Sequence, residues 1–158
     1  CRHYSNHGER HLGEYFGKAY ARIVLEGRPF LPVHPRRATL SGEVITATFH
    51  VPVPPLVFDT QRVTDPGNYG FEVVDEAGAD VPIASVALPS PDTVAITLAA
   101  TPAGKPRLRY AFEAVPFTCP GKWVGPRGNL RDSDATPSQH GYELFNWAVH
   151  FEVAVEGG

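Results

Sequence analysis

The residues with the most chemical potential stand at the start of the chain, where His3 is followed by Tyr4-Ser5-Asn6 and then by His7, Gly8-Glu9 and His11. An imidazole changes charge near neutrality and can take a proton from a hydroxyl nucleophile, so His3 is the candidate general base. Such a base needs a serine within hydrogen-bond reach and a carboxylate to hold its ring. No Gly-x-Ser-x-Gly turn occurs in the chain, and Ser41, Ser85, Ser90, Ser133 and Ser138 fall in strand or turn contexts. His3 is therefore catalytic only with a partner that supplies the nucleophile, and the chain alone is expected to be silent.

Other groups suggest binding rather than reaction. His7 and His11 lie four residues apart, the spacing of two zinc ligands on one helical turn, but no third ligand or intervening glutamate completes the set. His34, His50, His140 and His150 show no metal spacing, and no metal or other cofactor is expected. Asp132-Ser133-Asp134 offers hard oxygen ligands of the kind calcium takes, although carboxylates alternating in a loop more often cap turns or face solvent. Trp123, Arg127, Asn129, Arg131, Asp132 and Tyr142, with Tyr69 nearby, have the ingredients of a sugar-binding patch. Aromatic faces stack on the apolar faces of sugar rings while amides and charges bond hydroxyls. Core packing is the rival explanation. It is the stronger one for Trp147, whose parity points inward, and Trp123, between Gly121 and Gly125, is balanced between the two. The run Val51-Pro52-Val53-Pro54-Pro55 resembles a polyproline ligand but serves equally to stop edge pairing after a strand, and the structural role is preferred.

Two kinds of sequence must position these residues. From Ser5 to Leu25 there is no proline, and Leu12, Tyr15, Phe16, Ala19, Ile23 and Val24 recur at spacings of three and four, which predicts one amphipathic helix. Asn6 and Glu9 have capping-box spacing, and Gly27 stands where a helix would stop. A helix this short is marginal in water and must bury Leu12, Phe16 and Ile23 against something. From Arg28 onward, short runs of alternating apolar and polar residues predict strands at Glu43–Phe49, Leu56–Phe58, Tyr69–Val74, Ile83–Leu88, Thr93–Leu98, Arg107–Phe112 and Phe145–Val155. Turn signals such as Asp65-Pro66-Gly67-Asn68 and Pro102-Ala103-Gly104 separate them. Seven short strands at this spacing predict a mainly β fold, an immunoglobulin-like antiparallel sandwich with one N-terminal helix. Residues 122–141 lack periodicity and read as a long loop of the kind that often carries function.

The 158 residues allow one domain of ordinary size. A formal net charge of −3 argues against nucleic acid as a partner, and no apolar run is long enough to span a membrane. Cys1 and Cys119 are too few for a disulfide scaffold; a single bridge between them is possible, and free thiols are expected. The chain contains no Met and begins with Cys1, which leads us to expect the C-terminal part of a longer protein.

The block His3-Tyr4-Ser5-Asn6 with Gly8-Glu9 and Leu12-Gly13-Glu14-Tyr15-Phe16 resembles the last conserved block of SGNH (GDSL-type) hydrolases, in which a catalytic His precedes the C-terminal helix. The family's aspartate, three residues before that His, would lie ahead of Cys1, and the family's nucleophile and oxyanion blocks do not occur in this chain. Gly125-Pro126-Arg127-Gly128-Asn129-Leu130-Arg131-Asp132-Ser133-Asp134 and Tyr142-Glu143-Leu144-Phe145-Asn146-Trp147 resemble the closing segment of bacterial and phage proteins in which a β-sandwich follows an SGNH-like domain. The resemblance implies that residues 1–27 are the terminal helix of a truncated SGNH-like domain and residues 28–158 a β-sandwich domain. It implies a non-catalytic binding or assembly module, extracellular or on a virion. Its expected partners are a bacterial surface polysaccharide, an upstream SGNH-like chain or neighbouring subunits. The alternative it implies is part of a carbohydrate ester hydrolase with His3 as general base.

Overall fold

The computed structural model describes residues 4–112 and 123–157. His3, Cys1 and Cys119 lie outside the described residues, and with them the expectations for the general base and for the thiols. Helix α1 spans Asn6–Tyr20 and continues as a π-helical turn over Ala21–Leu25. Its N-cap is Ser5, not Asn6: the Gly8 amide donates to the Ser5 hydroxyl at 3.2 Å, so the cap lies one residue earlier than the Asn6–Glu9 spacing suggests. Gly27, at φ +65°, turns the chain away after the helix, and the Arg28 amide donates back to the Arg22 carbonyl.

The rest is mainly β. A five-stranded sheet runs in the order β10-β1-β2-β6-β5, built from Glu156–Gly157, His34–Ser41, Val44–His50, Thr93–Leu98 and Ile83–Ser90. A three-stranded sheet, β4-β7-β9, comprises Phe71–Val74, Arg107–Tyr110 and Phe151–Ala154. A short pair joins β3 (Val57–Phe58) to β8 (Leu130–Arg131). All pairings between these strands are antiparallel except β1 with β10, where Thr39 lies opposite Glu156. One apolar core is shared by the two larger sheets: Ile45, Ala47 and Phe49 from β2 and Val94, Ile96 and Leu98 from β6 meet Phe71, Val73, Leu108, Tyr110 and Phe151. The alternate residues of each strand supply these side chains, as a period of two requires. Phe49 and Phe151 close the gap between the sheets edge to face at 5.9 Å.

Strand β6 matches the sequence expectation to the residue, and the ends of β2, β4, β5 and β7 fall within two residues of it. Three elements escaped it, among them β10 (Glu156–Gly157), which pairs with β1 beyond the expected last strand's end at Val155. Strand β1 carries Pro35, two arginines and only one fully buried apolar residue, Ala38, and it reaches its place through a bulge between Pro35 and Arg37. Strand β8 is two residues long and lies inside the segment expected to be a loop. The expected strand Phe145–Val155 is also broken. Ala148 donates to Leu130 and Val149 to Val33, and regular pairing begins only at Phe151. Trp147 and Val149 therefore lose the inward parity of Phe151: Val149 is exposed and Trp147 only half-buried.

Two close approaches fix where the β8 region sits. The Leu130 amide donates to the buried Tyr110 hydroxyl at 2.9 Å, and Gly128 passes so near the Tyr110 ring that a Cβ there would fall inside it. Gly128→Ala is expected to cost about 2–3 kcal/mol of stability, the range for overpacking a closed site. In contrast, Gly13→Ala, with nothing within 4 Å of its Cβ position, should be neutral or stabilising by about 0.5–1 kcal/mol. Urea denaturation of the two variants beside the parent chain checks both signs.

Candidate functional site

Helix α1 meets the β body through its polar side. His11, Tyr15 and Lys18 recur every three or four residues and all point at the segment 143–146. His11 Nε2 bonds the Glu143 carbonyl at 2.8 Å, and the Tyr15 hydroxyl donates to the Phe145 carbonyl at 2.6 Å. Lys18 Nζ donates to the Leu144 carbonyl, to Asn146 Oδ1 at 2.9 Å and to the Asp134 carboxylate at 2.9 Å. The apolar stripe expected to be buried looks the other way: Phe16 is 66 % exposed, Ile23 55 % and Leu12 37 %, so the described β body does not cover it.

Behind that contact lies a buried polar knot. Asp132 is fully buried, and its two oxygens accept from the backbone amides of Asn146, Asp134 and Val53 and from the Asn146 side chain. Asp134 accepts from Thr136 and from Lys18. Both carboxylates are thus occupied as acceptors for amides, a hydroxyl and an ammonium, which is the capping role weighed against calcium. Among the described residues no three His, Cys, Asp or Glu side chains are grouped to hold a metal ion. Val53 both donates to Asp132 and accepts from Ser133, and the Pro55 carbonyl accepts from the Ser133 hydroxyl, so the proline run is bonded into the fold.

A second charged cluster adjoins the first. Asp59, buried, receives Arg131 at 2.7 Å and Arg62 at 3.0 Å; Arg62 also pairs with Glu143 at 2.9 Å, and the Arg131 guanidinium lies 3.8 Å over the Phe145 ring. Burial opposes the charge on Asp59, and the bonds from Arg131 and Arg62 outweigh it and hold the carboxyl below its ordinary range. Glu143 is held low in the same way, burial being overcome by a backbone hydrogen bond and by Arg62.

Between the first turn of α1 and these clusters opens a cleft of about 600 Å³, lined by Ser5, His7, His11, Gln61, Arg62, Trp123, Tyr142, Glu143 and Trp147, with Gly8 and Val63. Its volume is in the range of small-ligand sites. Tyr142 stacks on His11 with ring centroids 4.8 Å apart, and its hydroxyl lies 3.4 Å from His7 Nδ1. The Tyr15 hydroxyl is pushed up to about 12, chiefly by burial and then by Glu143, so that it stays a neutral donor. Trp123 stands at the cleft 60 % exposed.

The six residues expected to form a sugar-binding patch separate into two groups. Trp123 and Tyr142 line this cleft. Arg127 clasps the carbonyls of Thr64 and Gly125 and lines a different hollow, beside Gly67 and Phe71. Asn129 is buried and donates to the carbonyls of Asp59 and Val63; Arg131 and Asp132 are engaged in the two clusters. Asn129, Arg131 and Asp132 hold the frame of the site. Tyr69 lies flat on Phe58 at 4.0 Å and belongs with the core. Sequence reasoning missed Arg62 and Glu143 as a pair, and it left His7 and His11 as exposed polar residues without a third metal ligand, whereas both line the cleft.

No known protein family, curated protein or solved structure matches the chain.

The Lys18–Asp134 pair generates a stability test with a definite sign. Burial works against the Asp134 charge, but Thr136 and Lys18 lower it from 3.8 to about 2. A depressed carboxyl stabilises the folded state fully above its unfolded value and loses that contribution as pH falls through its folded value. We expect about 2 kcal/mol to disappear between about pH 4 and pH 2. Lys18→Met should cost about 3 kcal/mol at neutral pH, because it leaves a buried carboxylate without its cation. Urea midpoints across this pH range, for the parent and for Asp134→Asn, check the assignment, since the variant must show the smaller pH dependence.

Proposed function

We propose that this chain is the terminal part of an SGNH-hydrolase-like protein, in which α1 closes the hydrolase-like domain and the β body is an immunoglobulin-like sandwich acting as a non-catalytic binding or assembly module. The observation that carries this reading is the two-sided helix. Its polar side is spent on the β body, and its apolar side, Leu12, Phe16 and Ile23, is left for another surface. A helix that ends one domain and rests on the next has that character. The strand orders support the sandwich assignment. In the larger sheet β1-β2-β6-β5 and in the smaller β4-β7-β9 follow the sequence of pairings of a seven-strand immunoglobulin arrangement, with β3, β8 and β10 as additions. Carbohydrate at a cell or virion surface is the ligand that the aromatic and polar cleft favours.

A second reading keeps the same architecture and makes the parent protein an esterase on acylated polysaccharide, with His3 as the general base for a nucleophile carried upstream. The motif at residues 3–8 favours it, and it is separable by experiment. The chain alone should release no p-nitrophenol from p-nitrophenyl acetate above buffer, with or without His3→Ala; activity that His3→Ala abolishes would overturn the silent module. A parent reading frame with a Gly-Asp-Ser block and an aspartate three residues before His3 would establish the esterase. The helix assignment has its own test. Phe16→Asp should change the stability of the chain alone by less than about 0.5 kcal/mol, as for other exposed sites, yet abolish its association with the upstream segment in size-exclusion chromatography.

A further inference from the structure

We propose that the cleft beside the first turn of α1 binds an uncharged saccharide, one ring stacked on Trp123 and its hydroxyls held by the Arg62–Glu143 pair. This names the ligand class for the carbohydrate-binding reading above and rests on it, while owing nothing to an upstream hydrolase. Three observations carry it. The cleft contains an exposed indole, Trp123, beside two half-buried aromatics, Tyr142 and Trp147, and such rings cover the apolar faces of pyranoses.

Arg62 and Glu143 supply paired donors and acceptors at the same cleft. An arginine has five N–H donors and a carboxylate about four lone-pair sites. The contacts that hold the pair together use Arg62 Nε and Nη1, Glu143 Oε1 and the Asp59 carboxylate. Such a planar pair can bond vicinal hydroxyls without giving up its own contact.

The third observation is charge. Arg62 and Arg131 are matched by Asp59 and Glu143, so these charges of the described residues at the cleft cancel. An anionic sugar would meet the Glu143 carboxylate with no unmatched cation in the cluster to offset it. A neutral hexose or N-acetylhexosamine chain meets no such penalty.

The chain's own chromophores report on the site, because both of its tryptophans, Trp123 and Trp147, line this one cleft. The experiment titrates the intact chain with hexasaccharides of glucose, of N-acetylglucosamine and of galacturonic acid, following tryptophan emission and, independently, heat by calorimetry. The expected result is saturable emission change and heat with at least one neutral hexasaccharide, and none with galacturonate. Trp123→Ala should raise the dissociation constant at least tenfold while unfolding at the parent's temperature. Glu143→Gln, which keeps shape and removes charge, should weaken the neutral ligand several-fold and admit galacturonate. Binding by galacturonate alone would overturn the ligand class. Heat of binding to a neutral sugar that Trp123→Ala leaves unchanged would overturn the site and leave the carbohydrate reading standing. Silence toward the whole panel in both measurements at millimolar concentrations would overturn the inference and remove the support for that reading together.

Discussion

The buried contact of Lys18 with Asp134 and Asn146 is the constraint on which the arrangement of this molecule depends. Taking an ammonium and a carboxylate out of water costs several kcal/mol per ion, and their attraction offsets this only when further hydrogen bonds complete both groups. Here they do. Asp134 is also held by Thr136, Asn146 by Asp132, and Lys18 by the Leu144 carbonyl. What the arrangement provides beyond stability is direction. Apolar faces tolerate sliding and rotation, whereas a lysine that must reach two oxygens and a carbonyl fixes both the rotation and the height of α1 on the β body.

Everything at the cleft follows from that placement. With Lys18 seated, Tyr15 and His11 fall about one and two turns nearer the N-terminus on the same side, where they meet the carbonyls of Phe145 and Glu143. His11 then presents its ring to Tyr142. The segment 142–147, which has no ladder partner over most of its length, is thereby ordered from both sides, by helix side chains on one and by Asp132 and Arg131 on the other. Its aromatic residues are left at fixed positions around an open volume, which is the pre-organisation that a binding site for a weakly interacting ligand requires.

The division between what the sequence disclosed and what it concealed follows the range of the forces involved. Strands β2, β6 and β7 alternate strictly because a sheet with one buried face imposes a period of two on adjacent residues, and such a pattern is local. Strand β1 was hidden because its place is set by neighbours on both sides, β2 and β10, and not by its own apolar content. At the site, Trp123 and Tyr142 were legible as aromatics among turn residues. Arg127, Asn129, Arg131 and Asp132 looked equally available, but a chain that crosses the end of a β body without a ladder must find partners for its amides and carbonyls elsewhere. Polar loop side chains supply them, so Asn129 and Asp132 were drawn inside, while Arg127 and Arg131 were taken up by loop carbonyls and by Asp59. Arg62 and Glu143, 81 positions apart, announce nothing until the fold brings them together.

The helix itself shows why its outward face matters. Gly8, Gly13 and Gly17 lie within its 15 residues, and each glycine costs roughly 1 kcal/mol relative to alanine in a helix interior, so α1 is a poor helix by its own propensity. The capping by Ser5 and the polar contacts of His11, Tyr15 and Lys18 offset part of that cost. Leaving Leu12, Phe16 and Ile23 in water forgoes about 1.5–3 kcal/mol for each side chain that could be buried. Gly13 and Gly17 lie one turn apart with nothing within 4 Å of their Cβ positions, beside a hollow that Pro137 and His140 also line. Poor propensity and an exposed apolar stripe make the polar contacts with the β body the main support of α1 among the described residues.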